Sequence, residues 1–173
     1  MHPFLKVQRG FTLIELMLTI GVLGVLLGLA VPSFLETMRN NRLIAQNNEF
    51  VGALNFARSE ALKRSDFVSV CASADQTTCS GSTDWTTGWI MFNDPNANGD
   101  LDGAETLLQA WPQAPQEFTL TATNQSFVRF GSSGMSSGAE IFDLVRTNCV
   151  GPRARQINVS VVGRVSTTTV ACP

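Results

Sequence analysis

The sequence predicts an α+β fold in which a long N-terminal helix, membrane-spanning in its first half, packs against antiparallel β-sheets. Three observations support this prediction. An uncharged apolar run fills the 20 positions from 16 to 35, which is enough helix to cross a bilayer core of about 30 Å. Helical spacing of apolar residues continues to position 65. Beyond it, short segments rich in Val, Ile, Phe and Thr alternate with glycine-containing turns.

A basic leader and a single acid mark the start of the apolar run. Lys6 and Arg9 precede the motif GFTLIE at positions 10–15, which ends on Glu15. A carboxylate at membrane depth costs about 2.5–3.5 kcal/mol on insertion scales, so its presence indicates a specific role. Cleavage after Gly10 would free an amine on Phe11, four residues before Glu15 and on the same helix face. An ammonium group is the natural partner of a buried carboxylate.

Two alternatives for this segment remain open. Residues 1–30 could be an ordinary secretory signal with GLA at positions 28–30 as its cleavage site, or the helix could be a plain single-span anchor. Glu15 inside the apolar region argues against both. Lys6 and Arg9 predict a cytoplasmic N-terminus by the positive-inside rule, so that the rest of the chain faces the periplasm or the cell exterior.

The GFTLIE motif followed by an uncharged run resembles the class III signal of type IV prepilins and type II secretion pseudopilins. The resemblance implies that a membrane prepilin peptidase cuts after Gly10 and N-methylates Phe11. It also implies that Glu15 pairs with the Phe11 amine of a neighbouring subunit during assembly. Pro32 removes a backbone donor from the helix, and the resemblance implies that the stretch before it can unwind inside a filament.

A second resemblance extends over most of the chain. The segments ARSEA at 57–61 and GWIMF at 88–92, with the loop that begins at Asp94, resemble the GspH/FimT branch of minor pilins and pseudopilins, which includes FimU-like proteins. It implies a pilin-like version of the α+β fold. The expected parts are a leader at 1–10, a membrane and assembly half of the helix at 11–35, an amphipathic half at 36–65 and a β-rich periplasmic domain at 66–173.

Eight strands are predicted after the helix, from alternating apolar and polar residues or from β-branched and aromatic enrichment. Glycines separate several of them. The predicted strands are 67–71, 89–93, 106–111, 118–122, 127–130, 140–145, 155–162 and 164–170.

The histidine and cysteine contents restrict the chemistry. The one histidine is His2 in the leader, so the processed chain would have no Ser-His-Asp or Cys-His catalytic set and few zinc ligands. Catalysis by a pair of carboxylates stays open, but nothing in the sequence singles out such a pair, so we expect no enzyme activity. An even number of cysteines, four, in an exported chain predicts two disulfides. Sequence order favours the pairs Cys71–Cys79 and Cys149–Cys172, although the two other pairings are open.

A twelve-residue loop at 94–105 matches the spacing of a calcium-binding loop, with Gly99 at its sharp turn. Calcium is therefore a candidate ligand, although no cofactor is required. The flanking segments read as strands and not as the helices of an EF-hand, so a hairpin loop built from Asx-turns explains the same residues. The candidate ligands are Asp94, Asn96, Asn98, Asp100, Asp102 and Glu105.

Charge is unevenly distributed along the chain. Positions 66–143 hold ten acids and one base, whereas positions 144–173 hold four arginines and no acid. Some FimT-like minor pilins bind DNA through a C-terminal Gly-Arg-x-Arg stretch, and GPRAR at 151–155 resembles it loosely, with a proline before the first arginine. Arg153 and Arg155 are therefore candidate phosphate contacts, and Arg164 is expected to lie near them, across a hairpin centred on Gly163. The alternative is solvated charge on strands.

These expectations combine into one function and two alternatives. The chain is expected to be a minor type IV pilin that primes or caps pilus assembly and supports motility, adhesion or DNA uptake. Expected partners are the prepilin peptidase, other minor and major pilins, the inner membrane and DNA. The protein would sit in the inner membrane by a single span and then enter the pilus. The alternatives are a DNA-binding minor pilin for transformation and a GspH-like type II secretion pseudopilin.

Overall fold

The computed structural model describes residues 10–173 apart from Ala104, so the leader at 1–9, with Lys6 and Arg9, lies outside the described residues. The chain divides into two compact units, Met1–Asn41 and Arg42–Pro173. The second, which contains every strand, is called the globular unit below.

Helix α1 spans Leu13–Arg64, two residues later than the predicted start. Thr12 caps it: its Oγ1 accepts a hydrogen bond from the backbone N–H of Glu15 at 3.3 Å, and its carbonyl accepts one from Leu16 at 3.1 Å. The helix ends at Arg64, and Ser65 after it has a left-handed φ of 54°. The Asp66 N–H then returns to the Ala61 carbonyl at 3.3 Å, which satisfies one of the last free acceptors.

The first unit exposes an apolar helical surface. Within α1 there is one segment long and apolar enough to cross a membrane, by length and composition, and none of its 18-residue window is buried. The helix is assigned without interruption through position 32. Exposed apolar surfaces of this kind mark contacts with a membrane or with other proteins.

The globular unit contains eight strands in two antiparallel four-stranded sheets. Sheet A has the order β3-β2-β1-β5, and sheet B has the order β4-β6-β7-β8. The strands are β1 Val68–Ala72, β2 Trp89–Asn93, β3 Leu107–Trp111, β4 Phe118–Ala122, β5 Phe127–Phe130, β6 Glu140–Arg146, β7 Ala154–Val159 and β8 Val165–Val170.

The largest departure from the predicted strands is at the end of β7. The prediction extended this strand to position 162, whereas it ends at Val159. A tight turn intervenes, in which the Gly163 N–H bonds to the Ser160 carbonyl at 2.8 Å and the Ser160 N–H to the Arg164 carbonyl at 2.9 Å. Val161 and Val162 have strand propensity, but the turn holds them outside the ladder.

Aromatic side chains from the helix and both sheets meet in one core. Phe50 of α1 is fully buried and makes edge-to-face contacts with Trp85, Trp89 of sheet A and Phe142 of sheet B, at ring-centroid distances of 5.6, 5.0 and 4.8 Å. Such pairs contribute about 0.5–1.5 kcal/mol each beyond area burial. Trp85 belongs to the β1–β2 connection, and its backbone N–H donates to the Leu120 carbonyl of β4 at 2.8 Å. This connection therefore joins the two sheets.

Candidate functional site

The predicted processing and assembly residues lie at the exposed start of α1. Phe11 is 85% exposed, and both Gly10 and Phe11 precede the helix. In the uncleaved chain Phe11 therefore lies outside the helix, because Thr12 caps it, and a shared helix face for Phe11 and Glu15 stays a prediction for the processed chain. Glu15 lies in the first turn, and among the described residues its carboxylate has no hydrogen bond or ion pair. It is available to a partner outside this chain.

Both disulfides join the pairs that sequence order favours. Cys71 at the end of β1 bonds to Cys79 in the β1–β2 connection, and Cys149 after β6 bonds to Cys172 after β8. The second closes 23 residues, for which the chain-entropy model gives about 3 kcal/mol of stabilisation. It ties the end of the chain to the β6–β7 connection, where the Cys172 N–H also bonds to the Gly151 carbonyl at 2.9 Å.

The short disulfide loop is organised around Asp75. Its Oδ1 accepts the backbone N–H groups of Thr77 and Thr78 at 2.9 and 2.8 Å, and its Oδ2 accepts the Thr78 hydroxyl at 2.7 Å. These bonds favour the charged form, so they hold the pKa of Asp75 well below its usual range. The contribution of Asp75 to stability is therefore present above the ordinary aspartate pKa and is lost only as the pH falls through its lowered value.

The calcium expectation for the loop at 94–105 is not supported. In the described part of the chain, no group of three or more His, Cys, Asp or Glu side chains is arranged to hold a metal ion. Asp94 is fully buried. Its carboxylate accepts the backbone N–H groups of Asn98 and Gly99 at 3.1 and 3.0 Å, together with the Ser69 hydroxyl. It therefore fastens the loop to itself and to β1.

Three other predicted calcium ligands, Asn96, Asn98 and Asp102, also form hydrogen bonds within the loop. The Oδ1 atoms of Asn96 and Asn98 accept the backbone N–H groups of Asn98 and Asp100 at 3.0 and 2.8 Å. The Nδ2 groups of both asparagines donate to the Asp102 carboxylate. This pattern of hydrogen bonds is typical of a hairpin loop built from Asx-turns, which was the alternative to a calcium site.

Glu105, the last predicted ligand, has an unfavourable electrostatic setting. Its Oε2 accepts the Asp102 N–H at 3.2 Å, while its Oε1 is buried without a partner among the described residues. Burial raises its pKa, and the nearby charges of Asp94, Asp102 and Asp100 add to the rise. The loop is thus an acidic surface held by hydrogen bonds.

Arg129, which the sequence analysis did not single out, fixes this loop to sheet A. Its Nη1 donates to the carbonyl of Ala97, and its guanidinium lies over the rings of Phe67 and Phe127, 5.5 and 5.8 Å from their centroids. Gly99 has a φ of 79°, and a Cβ there would lie 2.5 Å from the Phe127 ring. The acidic loop therefore has one fixed position on β5.

The three arginines proposed for phosphate binding do not form one group. Arg153 directly precedes β7 and Arg155 is its second residue. In the β7–β8 register Arg155 pairs with Thr169, which is five residues from Arg164, or about 17 Å along an antiparallel strand. The expectation that Arg164 lies near the other two is therefore wrong, because the hairpin register places it at the opposite end.

Two other arginines lie at the same end of sheet B as Arg153 and Arg155. Leu144 pairs with Arg155, so Arg146, two residues further on, extends towards Arg153. Arg42 of α1 forms a 3.2 Å ion pair with Glu117, which directly precedes β4. These residues are called the basic end below: Arg42, Arg146, Arg153 and Arg155, with Glu117 as their acid. Arg155 also donates to the Thr169 hydroxyl at 2.6 Å.

Two protein-family models match this chain. The family model described as "Type II transport protein GspH" matches residues 46–163, and that described as "Prokaryotic N-terminal methylation motif" matches residues 5–31. The pilin-like protein PilA1 of Thermus thermophilus is 36% identical over 100 residues, which cover 57% of this chain and 56% of the Thermus protein. The match thus spans little more than half of that relative.

Two crystal forms of the type IV minor pilin FimU of Pseudomonas aeruginosa have the same fold. One has a TM-score of 0.60 and covers 76% of this chain and 92% of the FimU chain, and the other has a TM-score of 0.53 and covers 70% and 88%. Sequence identity is 20% in both cases, so this likeness concerns the fold. It confirms the predicted architecture of one long N-terminal helix packed against antiparallel sheets.

Proposed function

The chain belongs to the GspH/FimT family of type IV minor pilins and pseudopilins, and from that membership we propose that it is a minor pilin that primes or caps a type IV pilus. Its work in this proposal is assembly and presentation, without catalysis. It would be processed by a prepilin peptidase, anchored in the inner membrane and then incorporated among other pilins. Motility, adhesion or DNA uptake would follow from the filament that it helps to build.

The observation that carries this proposal is the combination at the N-terminus. An exposed apolar helix surface begins with Glu15, whose carboxylate has no partner in the described part of the chain and lies four residues after the expected new N-terminus at Phe11. A filament of packed helices would cover the apolar surface and supply an amine to the carboxylate. The predicted parts at 1–10, 11–35, 36–65 and 66–173 then have the roles of leader, membrane and packing segment, support helix and exposed domain.

Processing at Gly10 is the first test. We expect that the full chain, produced with a prepilin peptidase, loses residues 1–10 and carries an N-methyl group on Phe11, as measured by intact mass and N-terminal sequencing. Gly10→Val should retain the leader, because the peptidase would meet a β-branched side chain at its cleavage position. The matched control is Gly21→Ala, in a helical position where a Cβ meets nothing within 4 Å, and it should be processed normally.

Two results would contradict the processing proposal. An N-terminus just after Ala30 would identify an ordinary secretory signal, and an uncleaved chain would identify a plain anchor. If processing occurs, fractionation separates the two branches of the family: a minor pilin is expected in sheared surface pili, whereas a pseudopilin of a type II secretion system is not.

DNA capture is a second candidate function, favoured by the charge at the basic end. Its arginines outnumber its acid by four to one in an otherwise acidic body. The contacts that these arginines make within the protein do not use all of their hydrogen-bond donors, since each guanidinium carries five N–H donors. Such a surface would bind phosphates without reading sequence, so binding should be weak and should fall steeply with salt.

The test is DNA binding by the full chain in non-ionic detergent over a salt series. Replacing Arg153 and Arg155 together by glutamine should reduce the slope of log K against log salt by about 2 and the affinity at low salt by at least tenfold. The matched control is Arg164→Gln, at the opposite end of the β7–β8 hairpin, and it should bind like the parent. Equal losses in both variants would point to non-specific charge and not to this site.

A further inference from the structure

The turn between β7 and β8 is fastened to α1 through one arginine. Arg58 donates from Nε to the Gly134 carbonyl at 3.0 Å and from Nη2 to the Val162 carbonyl at 3.4 Å. The Ser136 N–H also bonds to the Val161 carbonyl at 3.0 Å. Helix α1, the β5–β6 loop and the β7–β8 turn are therefore held together in a fixed arrangement.

Four apolar side chains are exposed on this junction. Leu62 and Met135 are each 48% exposed, Val161 is 50% exposed and Val162 is 61% exposed. They are neighbours: a Cβ on Gly134, the residue before Met135, would lie 3.3 Å from Leu62, and Val161 is bonded to the same loop. We call Leu62, Met135, Val161 and Val162 the Val161 patch. Contiguous exposed apolar side chains on a fixed support are typical of a protein contact.

The charged residues around the Val161 patch are mainly basic. Arg58 donates to the Gly134 and Val162 carbonyls, and the other charged residues close to the patch in sequence are three bases and two acids: Lys63, Arg64 and Arg164, with Glu60 and Asp66. Arg64 and Lys63 bond to Glu60 at 2.8 and 3.3 Å and lower its pKa. Positions 67–143 carry nine acids and one base. The surface that fits this patch is therefore apolar with acidic side chains at its edge.

We propose that the Val161 patch docks against the globular domain of a neighbouring pilin subunit, on a surface that combines apolar and acidic side chains. The proposal rests on the proposed assembly function. An open filament requires heterologous contacts, in which one surface of a subunit meets a different surface of the next. This chain carries groups of the complementary kind in its own acidic loop, where Asp100 and Asp102 are exposed, and in the exposed Leu107 at the start of the strand that follows the loop. The Val161 patch of one subunit facing an acidic surface of the next would be a heterologous contact of this kind.

The experiment is photo-crosslinking of the full chain in cells that assemble pili. A benzophenone amino acid placed at Val161 should crosslink to the globular domain of a pilin, identified by mass spectrometry of the joined peptides. The same amino acid at Leu27, on the apolar helix, serves as the reference for assembly. Adding Arg164→Glu to the Val161 probe should reduce the crosslink yield at least fivefold, because it reverses the charge that faces the acidic neighbour.

A second measurement uses substitution without a probe. Val161→Asp with Val162→Asp should reduce incorporation into sheared pili at least tenfold, while thermal unfolding of the purified chain stays like that of the parent because both side chains are exposed. The matched control is Val150→Asp, at a valine that is 74% exposed and lies outside the patch. It should be incorporated normally.

The outcomes separate this proposal from the assembly function. Pilin crosslinks from Leu27 but none from Val161 would overturn the docking proposal and leave the assembly function standing. An absence of pilin crosslinks at both positions would overturn both. Crosslinks from Val161 to lipid, DNA or a protein other than a pilin would also overturn the docking proposal.

Discussion

Replacement of Gly163 by alanine is expected to lower the free energy of unfolding of the globular unit by about 3 kcal/mol. A Cβ at this position would lie 1.9 Å from the Gly134 carbonyl oxygen and 3.1 Å from Nε of Arg58. The obstacle is backbone, so it cannot rotate away. Overpacking of this kind costs about 1–3 kcal/mol, and a side chain in the left-handed region, with φ at 74°, adds about 1–2 kcal/mol.

The matched control is Gly151→Ala. Gly151 has the same φ of 74°, but a Cβ there meets nothing within 4 Å, so only the conformational cost of about 1 kcal/mol should appear. Urea unfolding with the disulfides intact, followed by the fluorescence of buried Trp85 and Trp89, measures both. The midpoint should fall by about 1–2 M for Gly163→Ala and by much less for the control. Equal shifts would mean that the contact with Gly134 does not constrain the turn.

Much of the fold could be predicted because local sequence and tertiary structure agree. Strands β2, β4 and β5 have the predicted bounds, since each combines β-branched or aromatic residues with nearby turn residues. The prediction was wrong at Val161 and Val162, where the turn that ends at Gly163 overrides the propensity of two valines. These residues are exposed on a turn and not paired on a strand, which is what makes them available for a contact.

The candidate sites were less predictable because they depend on register and on residues far apart in sequence. Arg155 and Arg164 are nine positions apart, yet the hairpin separates them, while Arg42 and Glu117 are brought together from 75 positions apart. In the loop at 94–105 the same residues fit both a calcium-binding loop and a hairpin loop built from Asx-turns. Only the hydrogen bonds of Asp94, Asn96 and Asn98 distinguish the two.

Replacement of Glu15 by leucine is expected to reduce incorporation into pili at least tenfold while making membrane insertion more favourable. Removal of the carboxylate abolishes a cost of about 2.5–3.5 kcal/mol at membrane depth, so the variant should accumulate in the inner membrane at parental levels or above. Incorporation should nevertheless fall, because the proposed partner amine of a neighbouring Phe11 would remain unpaired among apolar helices. The measurement compares the chain in sheared pili with the chain in the membrane fraction.

The matched control is Thr19→Leu, which makes the same helix more apolar without touching the carboxylate. The Thr19 hydroxyl donates to the Leu16 carbonyl of its own helix, at 2.8 Å, so this variant should insert and assemble like the parent. Glu15→Gln keeps the side-chain length but removes the charge, and it should assemble as poorly as Glu15→Leu if the charge is what the amine requires. Normal assembly of Glu15→Gln would instead assign Glu15 a hydrogen-bonding role.

The expected effects on membrane insertion and on incorporation into pili have opposite signs, so the Glu15 variants distinguish an anchoring role from an assembly role. If Glu15 served only anchoring, a more apolar residue in its place should improve both membrane insertion and function. If Glu15 serves assembly, the same replacement should improve insertion and impair function. Its setting in this chain favours the second behaviour, since Glu15 opens an uncharged run of 20 positions and has no partner among the described residues. Such a carboxylate lowers the stability of the isolated membrane form, and it stabilises an assembly in which a neighbouring amine neutralises it.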